Sequence, residues 1–304
     1  MSTREAAVTT TGVRERQVGD VGLGGHACLS FADDAEQRRV VTEYLSAGVA
    51  DGHRVLHFAD RQAPATVLGW LEAAGVDTGS AVARGQLSVV TADESYLASG
   101  RFSSSAMVDA LRREVDAGVA AGFGGLRVCG EMSWALRGIP GAEELDEYER
   151  AVDAVFREGR ASAICQYDAR LFPPDRLDAL DRCHRLSVEQ PPLHSSALLR
   201  LVPAVRSGRH CLRVIGMVDN RTLRHFTAAL GTARDWPGDI VVDMSALRFI
   251  DVAGLRDLAD TAAHLGGGRR LRIEHLAPAL CHVVRLVGWD RAPGLTLVAD
   301  GATT

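Results

Sequence analysis

The chain has 304 residues, of which 46% are hydrophobic and 24% charged, and a net charge of −5. Such values are ordinary for a globular protein, and the length predicts two domains at roughly 150 residues each. All 34 basic residues are arginine, which excludes Schiff-base chemistry and the lysine of a phosphate-binding P-loop. No apolar run reaches the roughly 18 residues of a membrane span, and the polar N-terminus lacks the apolar stretch of a signal peptide. We therefore expect a cytoplasmic protein.

Charge distribution and cysteine spacing narrow the functional classes further. Residues 1–196 carry a net charge of −9 and residues 197–304 one of +4, and neither part is basic enough to indicate nucleic-acid binding. The six cysteines are scattered without a C-x-x-C pair, which disfavours both a disulfide framework and structural zinc.

In chain order, we predict a disordered tail at residues 1–20 and a first domain at residues 21–186. In this domain Asp34 with Gln37 predicts a capping box at the start of the first helix. A later helix is predicted from Leu145, Val152 and Phe156, which share one helical face. Five apolar runs predict buried strands: HACLSF, HRVLHFA, QLSVV, GLRVCG and ASAICQY. Nearly continuous apolar strands are typical of a parallel sheet covered on both faces, so the pattern predicts a doubly wound, mostly parallel α/β domain.

The stretch SVEQPPLHSS (187–196) has consecutive prolines and no periodicity, which predicts an interdomain linker. Residues 197–304 then form the second predicted domain, a compact mixed-sheet α/β unit. Its predicted strands are 198–202, 211–216, 239–244, 269–274 and 295–299, and its predicted helices are 220–231, 253–265 and 278–288.

Ligands of doubly wound sheets bind beyond the carboxyl ends of the strands. The residues that follow the strands of the first domain are acidic and partly aromatic: Asp33, Asp34, Asp60, Glu94, Glu131, Trp134, Gln166, Tyr167 and Asp168. A phosphate site would need glycines and positive charge after the first strand, where the chain reads FADDAEQRR, so the sequence argues against nucleotide binding there. The candidate ligand-binding residues are His26, Glu131, Trp134, Gln166, Tyr167 and Asp168.

Each of these candidates has an alternative interpretation. Glu131 either lies at the rim of a crevice with Trp134 as an aromatic wall, or it caps the next segment or pairs with Arg137. Residues 166–168 either orient a ligand or close a turn. His26 and Cys28 form an H-x-C pair, for which a hydrogen-bonded structural histidine is favoured over a metal ligand.

Other histidines and cysteines suggest no further chemistry. His53 and His57 lie on one predicted strand, roughly 13 Å apart, and therefore cannot share a metal. Cys129 and Cys165 have no base or cation beside them in sequence and are interpreted as buried small hydrophobes. We expect no metal, no cofactor and no catalytic residue.

Four blocks of the first domain carry a family resemblance: GGHACLSFADD, GQLSVVTADESYLASGRF, GEMSWALRGIPGAEELDEYE and AICQYDARLFP. In this order they resemble the MEDS family, a sensory domain first recognised in a dichloromethane-responsive repressor of methylotrophs and in methanogen signalling proteins. The resemblance implies a RecA-like fold related to the clock-type ATPases, with a decayed phosphate loop. It also implies a sensory role with a small organic ligand.

The second domain carries another resemblance, in the blocks LRVIGMVDNRTLRHFTAAL, VVDMSALRFIDVAGLRDLAD and LAPALCHVVRLVGWD. They resemble the STAS domain of anti-sigma factor antagonists. This chain has a turn that reads FIDVAGL (249–255). In switchable family members the equivalent turn has a Ser or Thr directly before its glycine, and a partner kinase phosphorylates that residue. The turn here has Val252 and Ala253, so Ala253 is the equivalent of the phosphorylated residue and lacks a hydroxyl.

This resemblance implies a partner-binding surface at the turn, and the alternatives there stay open. The candidate residues are Asp219, Asp251, Val252, Ala253, Gly254 and Leu255. Asp251 either contacts a partner or caps the helix that follows it. The domain either binds its partner constitutively under control of the sensory domain or serves as a docking module.

Together these observations predict a non-catalytic signalling protein. A sensory domain for a small ligand or partner would act through a STAS module on an anti-sigma factor or a related switch-kinase-like protein, without binding nucleic acid or membrane. The alternative is a nucleotide-dependent or altered ATPase-like enzyme that uses the acidic edge of the first domain. A DNA-binding repressor is disfavoured, because no helix-turn-helix region or basic stripe remains outside the two domains.

Overall fold

The structure is a computed structural model that describes residues 14–206 and 208–298. The chain divides into two compact units, Met1–Glu189 and Gln190–Thr304. Within the described ranges, no helix is long and apolar enough to cross a membrane.

The first unit is built on a seven-stranded sheet in which every pair of neighbours is parallel. Its strands are β1 (Arg14–Arg16), β2 (His26–Phe31), β3 (Arg54–Ala59), β4 (Leu87–Thr91), β5 (Leu126–Glu131), β6 (Ala161–Asp168) and β7 (Leu186–Val188), in the order β1-β7-β2-β6-β5-β3-β4. Its helices are α1 (Asp34–Ala50), α2 (Pro64–Ala73), α3 (Thr78–Ala83), α4 (Ser104–Ala120), α5 (Leu145–Arg157) and α6 (Pro174–Cys183). The parallel α/β fold predicted from the apolar runs is confirmed.

The two faces of this sheet pack against separate apolar cores, because successive side chains of a strand point to opposite faces. Ala27, Leu29 and Phe31 of β2 belong to one core, which also includes the buried face of α1. Cys28 belongs to the other core, together with buried residues of α4 and α5. The same alternation decides on which face each polar side chain near the strand ends lies.

The edge of this sheet differs from the prediction. Residues 1–13 of the expected tail lie outside the described residues, but residues 14–20 are not a disordered tail. β1 pairs in parallel with β7, Glu189 N donates to Arg16 O at 2.6 Å, and Val18 is buried in the core. Sequence periodicity missed β1 because three residues are too few to show it.

The second unit contains a mixed sheet, as predicted. Its strands are β8 (His194–Ser195), β9 (Leu199–Arg206), β10 (Arg209–Val218), β11 (Ile240–Asp243), β12 (Leu247–Ile250), β13 (Leu271–Glu274) and β14 (Leu295–Leu297), and its helices are α7 (Leu223–Arg234), α8 (Val252–Ala263) and α9 (Pro278–Leu286). The predicted linker at 187–196 thus contains the end of β7 and the whole of β8, because both short strands obtain their hydrogen bonds from neighbouring strands.

The long strand β10 explains why β12 was not predicted. β11 pairs with the first half of β10, and β12 pairs with Gly216–Val218 after a shift in register. Gly216 has φ +108°, and a Cβ there would lie 2.2 Å from Leu198 O, so only glycine fits this irregularity. β12 therefore forms because the tertiary structure offers a second free stretch on the same strand edge.

Candidate functional site

A buried polar network lies at the carboxyl end of the first sheet, on the α1 face. Glu131, at the end of β5, is 1% exposed, and its Oε1 accepts a hydrogen bond from Gln37 Nε2 at 2.9 Å. Its Oε2 accepts from the backbone N–H groups of Asp60 at 2.8 Å and Arg61 at 2.6 Å, with Gln62 N at 3.3 Å. Gln37 Nε2 also lies 2.9 Å from Gln166 Oε1.

This network occupies both oxygens of Glu131 with groups of the protein itself. Burial raises the pKa of Glu131, and the backbone N–H groups of the loop after β3 and the Gln37 amide partly oppose that shift. The ion pair with Arg137, one of the alternatives for Glu131, does not form, because Arg137 binds Asp93 at 2.9 Å and Asp60 at 3.2 Å instead. Glu131 thus anchors the loop after β3 to the end of the sheet.

The start of α1 is occupied by carboxylates, as FADDAEQRR suggested, but the capping box lies one residue before the predicted pair Asp34 and Gln37. Asp33 is the N-cap and accepts from Glu36 N at 2.8 Å, and Glu36 Oε2 accepts from Ala32 N at 3.0 Å. Burial raises the pKa of Glu36 to about 7, with the charge of Asp33 adding to the shift. A phosphate-binding helix N-terminus offers free backbone N–H groups to the anion, whereas this one presents carboxylates, which would repel it.

Asp168 closes the turn after β6. Its side chain is 1% exposed and accepts from Arg170 N at 2.9 Å and from the Arg170 guanidinium at 2.7 and 2.8 Å. Arg170 also bridges to Asp34 at 2.6 Å. Of the two interpretations of Asp168, the geometry matches the closed turn.

An aromatic cavity lies on the opposite face of the sheet. It encloses about 20 Å³ and adjoins Trp134, one of the predicted ligand residues. Tyr96 and Trp134 pack edge to face at 5.6 Å, and Tyr96 Oη and Trp134 Nε1 are both buried without a well-aligned hydrogen bond. The residues that line the cavity are Phe58, Tyr96, Phe102, Met107, Val128, Gly130, Met132, Trp134, Tyr148, Phe156, Ala163, Ile164 and Cys165.

A third cluster surrounds Glu149 of α5, on the same face as the cavity. Glu149 is fully buried; its Oε1 accepts from Tyr167 Oη at 2.5 Å, and its Oε2 lies 3.1 Å from His26 Nε2 and 3.3 Å from His184 Nε2. Cys165 Sγ lies 3.5 Å from both His26 Nε2 and Glu149 Oε2. The sequence had indicated no base near Cys165, and the fold supplies one from β2.

Charge and burial oppose one another in this cluster. Burial by itself would raise the pKa of Glu149, but the two histidines outweigh it and hold that pKa well below its usual range. Burial would lower the pKa of His26, yet Asp153 and Glu149 raise it. Burial, with the charge of Glu149 adding to it, raises the pKa of the Cys165 thiol well above its usual value.

The predicted ligand residues therefore do not form one site. Glu131 and Gln166 lie on the α1 face, whereas His26 and Tyr167 lie on the opposite face with Trp134 nearby, because strand neighbours alternate. Sequence reasoning missed Gln37, Tyr96, Glu149 and His184. For Glu149 a signal was present, since it follows Leu145 by four residues and precedes Val152 by three, which places a carboxylate on the apolar face of a helix.

In the second unit, the candidate turn forms the start of α8. Asp251 is the N-cap and accepts from Gly254 N at 2.9 Å, which matches the capping interpretation. Val252 is 54% exposed, and Phe249 of β12 is 50% exposed. Leu255 is buried at 3% and so belongs to the core.

Two other candidates of the second unit also have structural roles. A Cβ on Gly254 would lie 2.7 Å from Ile250 Cγ1, so glycine permits α8 to pack closely on β12. Asp219 accepts from Arg221 N at 2.9 Å and pairs with the Arg221 guanidinium at 2.5 Å. This turn delays the predicted helix start from residue 220 to Leu223.

Two family models agree with the two resemblances and confirm them. Residues 204–299 match the family model described as Mlab, STAS domain. The chain is similar to an anti-sigma factor antagonist from Mycobacterium paratuberculosis, with 27% identity, 35% of this chain and 93% of that chain covered, and a TM-score of 0.30. It is also similar to a KaiC-like protein from Pyrococcus horikoshii, with 12% identity, 68% of this chain and 99% of that chain covered, and a TM-score of 0.41. No curated protein matches the sequence.

The remaining comparison covers the first unit. Residues 25–185 match the family model described as MEDS, the methanogen/methylotroph, DcmR sensory domain. This match extends over more than half of the 304 residues, so the chain belongs to the MEDS family.

Proposed function

We propose that this chain is a non-catalytic signalling protein in which the first unit binds a small, mainly apolar molecule and the second unit passes the signal on by protein contact. A sensory MEDS domain and a STAS domain in one chain fit a signalling protein. The observation that carries the ligand part is the enclosed aromatic cavity beside Trp134.

The dimensions and lining of this cavity limit its ligand. About 20 Å³ is little more than the space that one water-sized sphere needs, so a molecule of a few heavy atoms is the largest that fits without rearrangement. The walls are mainly aromatic and aliphatic. The indole N–H of Trp134 and the hydroxyl of Tyr96 are buried there without a well-aligned hydrogen bond, so they are available to orient a ligand. This chemistry suits a one- or two-carbon molecule with one or two polar or halogen atoms.

The output surface that we propose is the exposed apolar pair Phe249 and Val252 next to the start of α8. Both side chains are about half exposed although large and apolar, which is typical of contact surfaces. Ala253 has no hydroxyl, so phosphorylation at this turn would not control the contact. The partner that we propose is an anti-sigma factor or a related switch-kinase-like protein, as the STAS resemblance implies.

The geometry gives less support to the alternative of an ATPase-like enzyme. Asp33 and Glu36 occupy the N–H groups at the start of α1, and Glu131 occupies those of the loop after β3. We expect no heat of binding when MgATP is added in a calorimeter. Micromolar binding would overturn this argument and favour the enzyme.

A pair of cavity variants tests the ligand part of the proposal. We expect dichloromethane or methanol to raise the melting temperature of the wild-type chain, because a ligand that binds the folded state stabilises it. Ala163→Val fills the cavity and should abolish the shift, whereas Val128→Ala enlarges it and should extend the shift to larger molecules such as benzene. Equal shifts in both variants would show that the molecules bind elsewhere.

A pull-down with the full chain from the native host tests the output. We expect the wild type to capture an anti-sigma factor or kinase-like protein, and Phe249→Asp with Val252→Asp to lose it. Val119→Asp is a matched control, since Val119 is 46% exposed in the first unit and should not affect capture. Failure of the wild type to capture such a protein in any ligand state would refute the proposed output.

A further inference from the structure

Four buried side chains of the first unit converge on a common point with the donor atoms of a metal site. They are His26 of β2, Glu149 of α5, Cys165 of β6 and His184, which directly follows α6. One ligand atom from each lies within 4.8 Å of all the others. All four residues are buried, with at most 4% of any of them exposed, so the cluster is not a surface group of acidic residues.

Four of the six distances between the ligand atoms are close to those of tetrahedral coordination. Zinc bonds of about 2.0–2.3 Å to nitrogen, oxygen and sulfur place neighbouring ligand atoms roughly 3.3–3.8 Å apart in a tetrahedron. Here Glu149 Oε2 lies 3.1 Å from His26 Nε2 and 3.3 Å from His184 Nε2, and Cys165 Sγ lies 3.5 Å from His26 Nε2 and Glu149 Oε2. Small adjustments of the side chains would therefore suffice to accommodate an ion.

The hydrogen bonds of His184 indicate that a cation is needed between it and Glu149. His184 Nδ1 lies 2.8 Å from Leu180 O and must donate its proton to that carbonyl. In the neutral ring Nε2 is then a bare acceptor, and it faces the carboxylate oxygen at 3.3 Å without a hydrogen bond. Two acceptors in this arrangement repel one another unless a proton or a metal ion lies between them.

Hydrogen bonds outside the cluster orient two of the four ligands, as is usual around protein-bound metals. Leu180 O fixes the tautomer of His184, and Tyr167 Oη donates to the other oxygen of Glu149 at 2.5 Å. Asp153 Oδ1 lies 3.7 Å from His26 Nδ1, on the side of the ring that faces away from the cluster. The hydrogen bond from His184 Nδ1 to Leu180 O leaves Nε2 of that ring facing the cluster.

Charge balance also favours a divalent ion. A thiolate at Cys165 and a carboxylate at Glu149 supply two negative charges, which a divalent cation neutralises while both histidines remain neutral. A buried site without net charge avoids the large cost of burying unpaired charges.

We propose that His26, Glu149, Cys165 and His184 bind one divalent metal ion of the zinc class in a closed, four-coordinate site. A set of two imidazoles, one thiolate and one carboxylate is suited to zinc, and hard ions such as Mg²⁺ and Ca²⁺ prefer oxygen ligands alone. With four protein ligands the ion has a structural role: it joins β2 and β6 to α5 and to the residue after α6. This assignment does not depend on the ligand proposed for the cavity, although Cys165 contributes to both.

The direct test is metal analysis of the tag-free full chain. We expect about one zinc per chain after purification, as in structural sites with four protein ligands, and a lower melting temperature after its removal with a strong chelator. Reconstitution with Co²⁺ should give the sulfur-to-cobalt charge-transfer absorption and the intense visible bands of tetrahedral cobalt. X-ray absorption of the zinc form should show one sulfur and three nitrogen or oxygen neighbours.

Matched cysteine variants localise the site. Cys165→Ser should lose the charge-transfer absorption and most of the bound zinc. Cys129→Ser should retain both, because Cys129 is equally buried but lies on the other face of the sheet. The cobalt spectrum of the wild type tests the site even if a variant fails to fold.

Two results would overturn the proposal. One is a folded wild-type chain that contains no stoichiometric metal and shows no sulfur ligation with Co²⁺ or Zn²⁺, in which case the cluster is a proton-linked ion network around Glu149. The other is bound metal without a sulfur neighbour, or metal whose amount is the same in Cys165→Ser, which would place the ion at another site.

Discussion

Glu36 should make the stability of the first unit fall as the pH rises from about 4.5 to about 7. The residue is 9% exposed at the start of α1; its Oε2 accepts from Ala32 N at 3.0 Å, and its Oε1 is buried without a hydrogen bond. Burial, with the neighbouring Asp33 charge, raises its pKa from 4.5 to about 7. The ionised form is thus disfavoured in the folded chain relative to the unfolded one.

The size of the effect follows from linkage between protonation and folding. Below pH 4.5 the carboxyl is neutral in both states, and its contribution is fully present. As the pH rises to about 7, the folded chain holds a proton that the unfolded chain has lost, and the contribution disappears. A shift of this size corresponds to at most about 3 kcal/mol of unfolding free energy.

The perturbation is Glu36→Gln, whose amide oxygen can still accept from Ala32 N but cannot titrate. We expect the variant to be more stable than the wild type by up to about 3 kcal/mol at about pH 8 and to approach the wild type near pH 4.5. Hydrogen exchange in peptides from the central strands β5 and β6 measures this, because their slowest amides exchange through global unfolding of the first unit.

The matched control is Glu43→Gln, an exposed carboxyl on the same helix, which should not change the pH dependence. If the difference between Glu36→Gln and the wild type is the same at both pH values, then Glu36 is not held in the low-dielectric environment that the structure shows. The reasoning from burial to pKa would then be refuted.

Three further predictions concern other buried positions. Burial lowers the pKa of His57 from 6.5 to about 4, so the stability that is present above pH 6.5 is lost as the pH falls toward 4. The variant His57→Leu cannot titrate and should remove about 3 kcal/mol of this acid sensitivity, as measured by the same hydrogen-exchange assay. Gly254→Ala should lower the unfolding free energy of the second unit by about 1–3 kcal/mol, because the new Cβ would lie 2.7 Å from Ile250 Cγ1. Gly231→Ala, where the new Cβ meets open space, should raise it by about 0.5–1 kcal/mol, and urea unfolding measures both changes. Asp251→Ala should cost about 1 kcal/mol through loss of the N-cap while Asp251→Asn costs little, and equal losses would show that capping is not the role of this side chain.

The sequence was sufficient for features that depend on local pattern. Apolar runs located β2 to β6, since buried parallel strands need apolar residues on both faces. Asp251 was recognised as a possible cap from its place before a helical run, and FADDAEQRR indicated that carboxylates occupy the start of α1. The family resemblances also rested on contiguous blocks and were confirmed.

The short strands could not be predicted from the local sequence pattern. β1 and β8 have three and two residues, which is too few for a period to show, and β12 depends on the free edge of β10 after the register shift at Gly216. Their hydrogen-bond partners come from elsewhere in the chain, so only the assembled sheets define them.

The candidate site shows the same division between sequence and tertiary structure. Gln166 and Tyr167 are adjacent in sequence, and the sequence alone placed them in one site, but alternation along β6 directs them to opposite faces of the sheet. Conversely, His26 and Glu149 are separated by 123 positions, and they meet because β2 and β6 are neighbours and α5 packs against that face. The sequence by itself determined which side chains could do chemistry, and the tertiary structure decided which of them meet, because distances between side chains from different elements are set by strand order and helix packing.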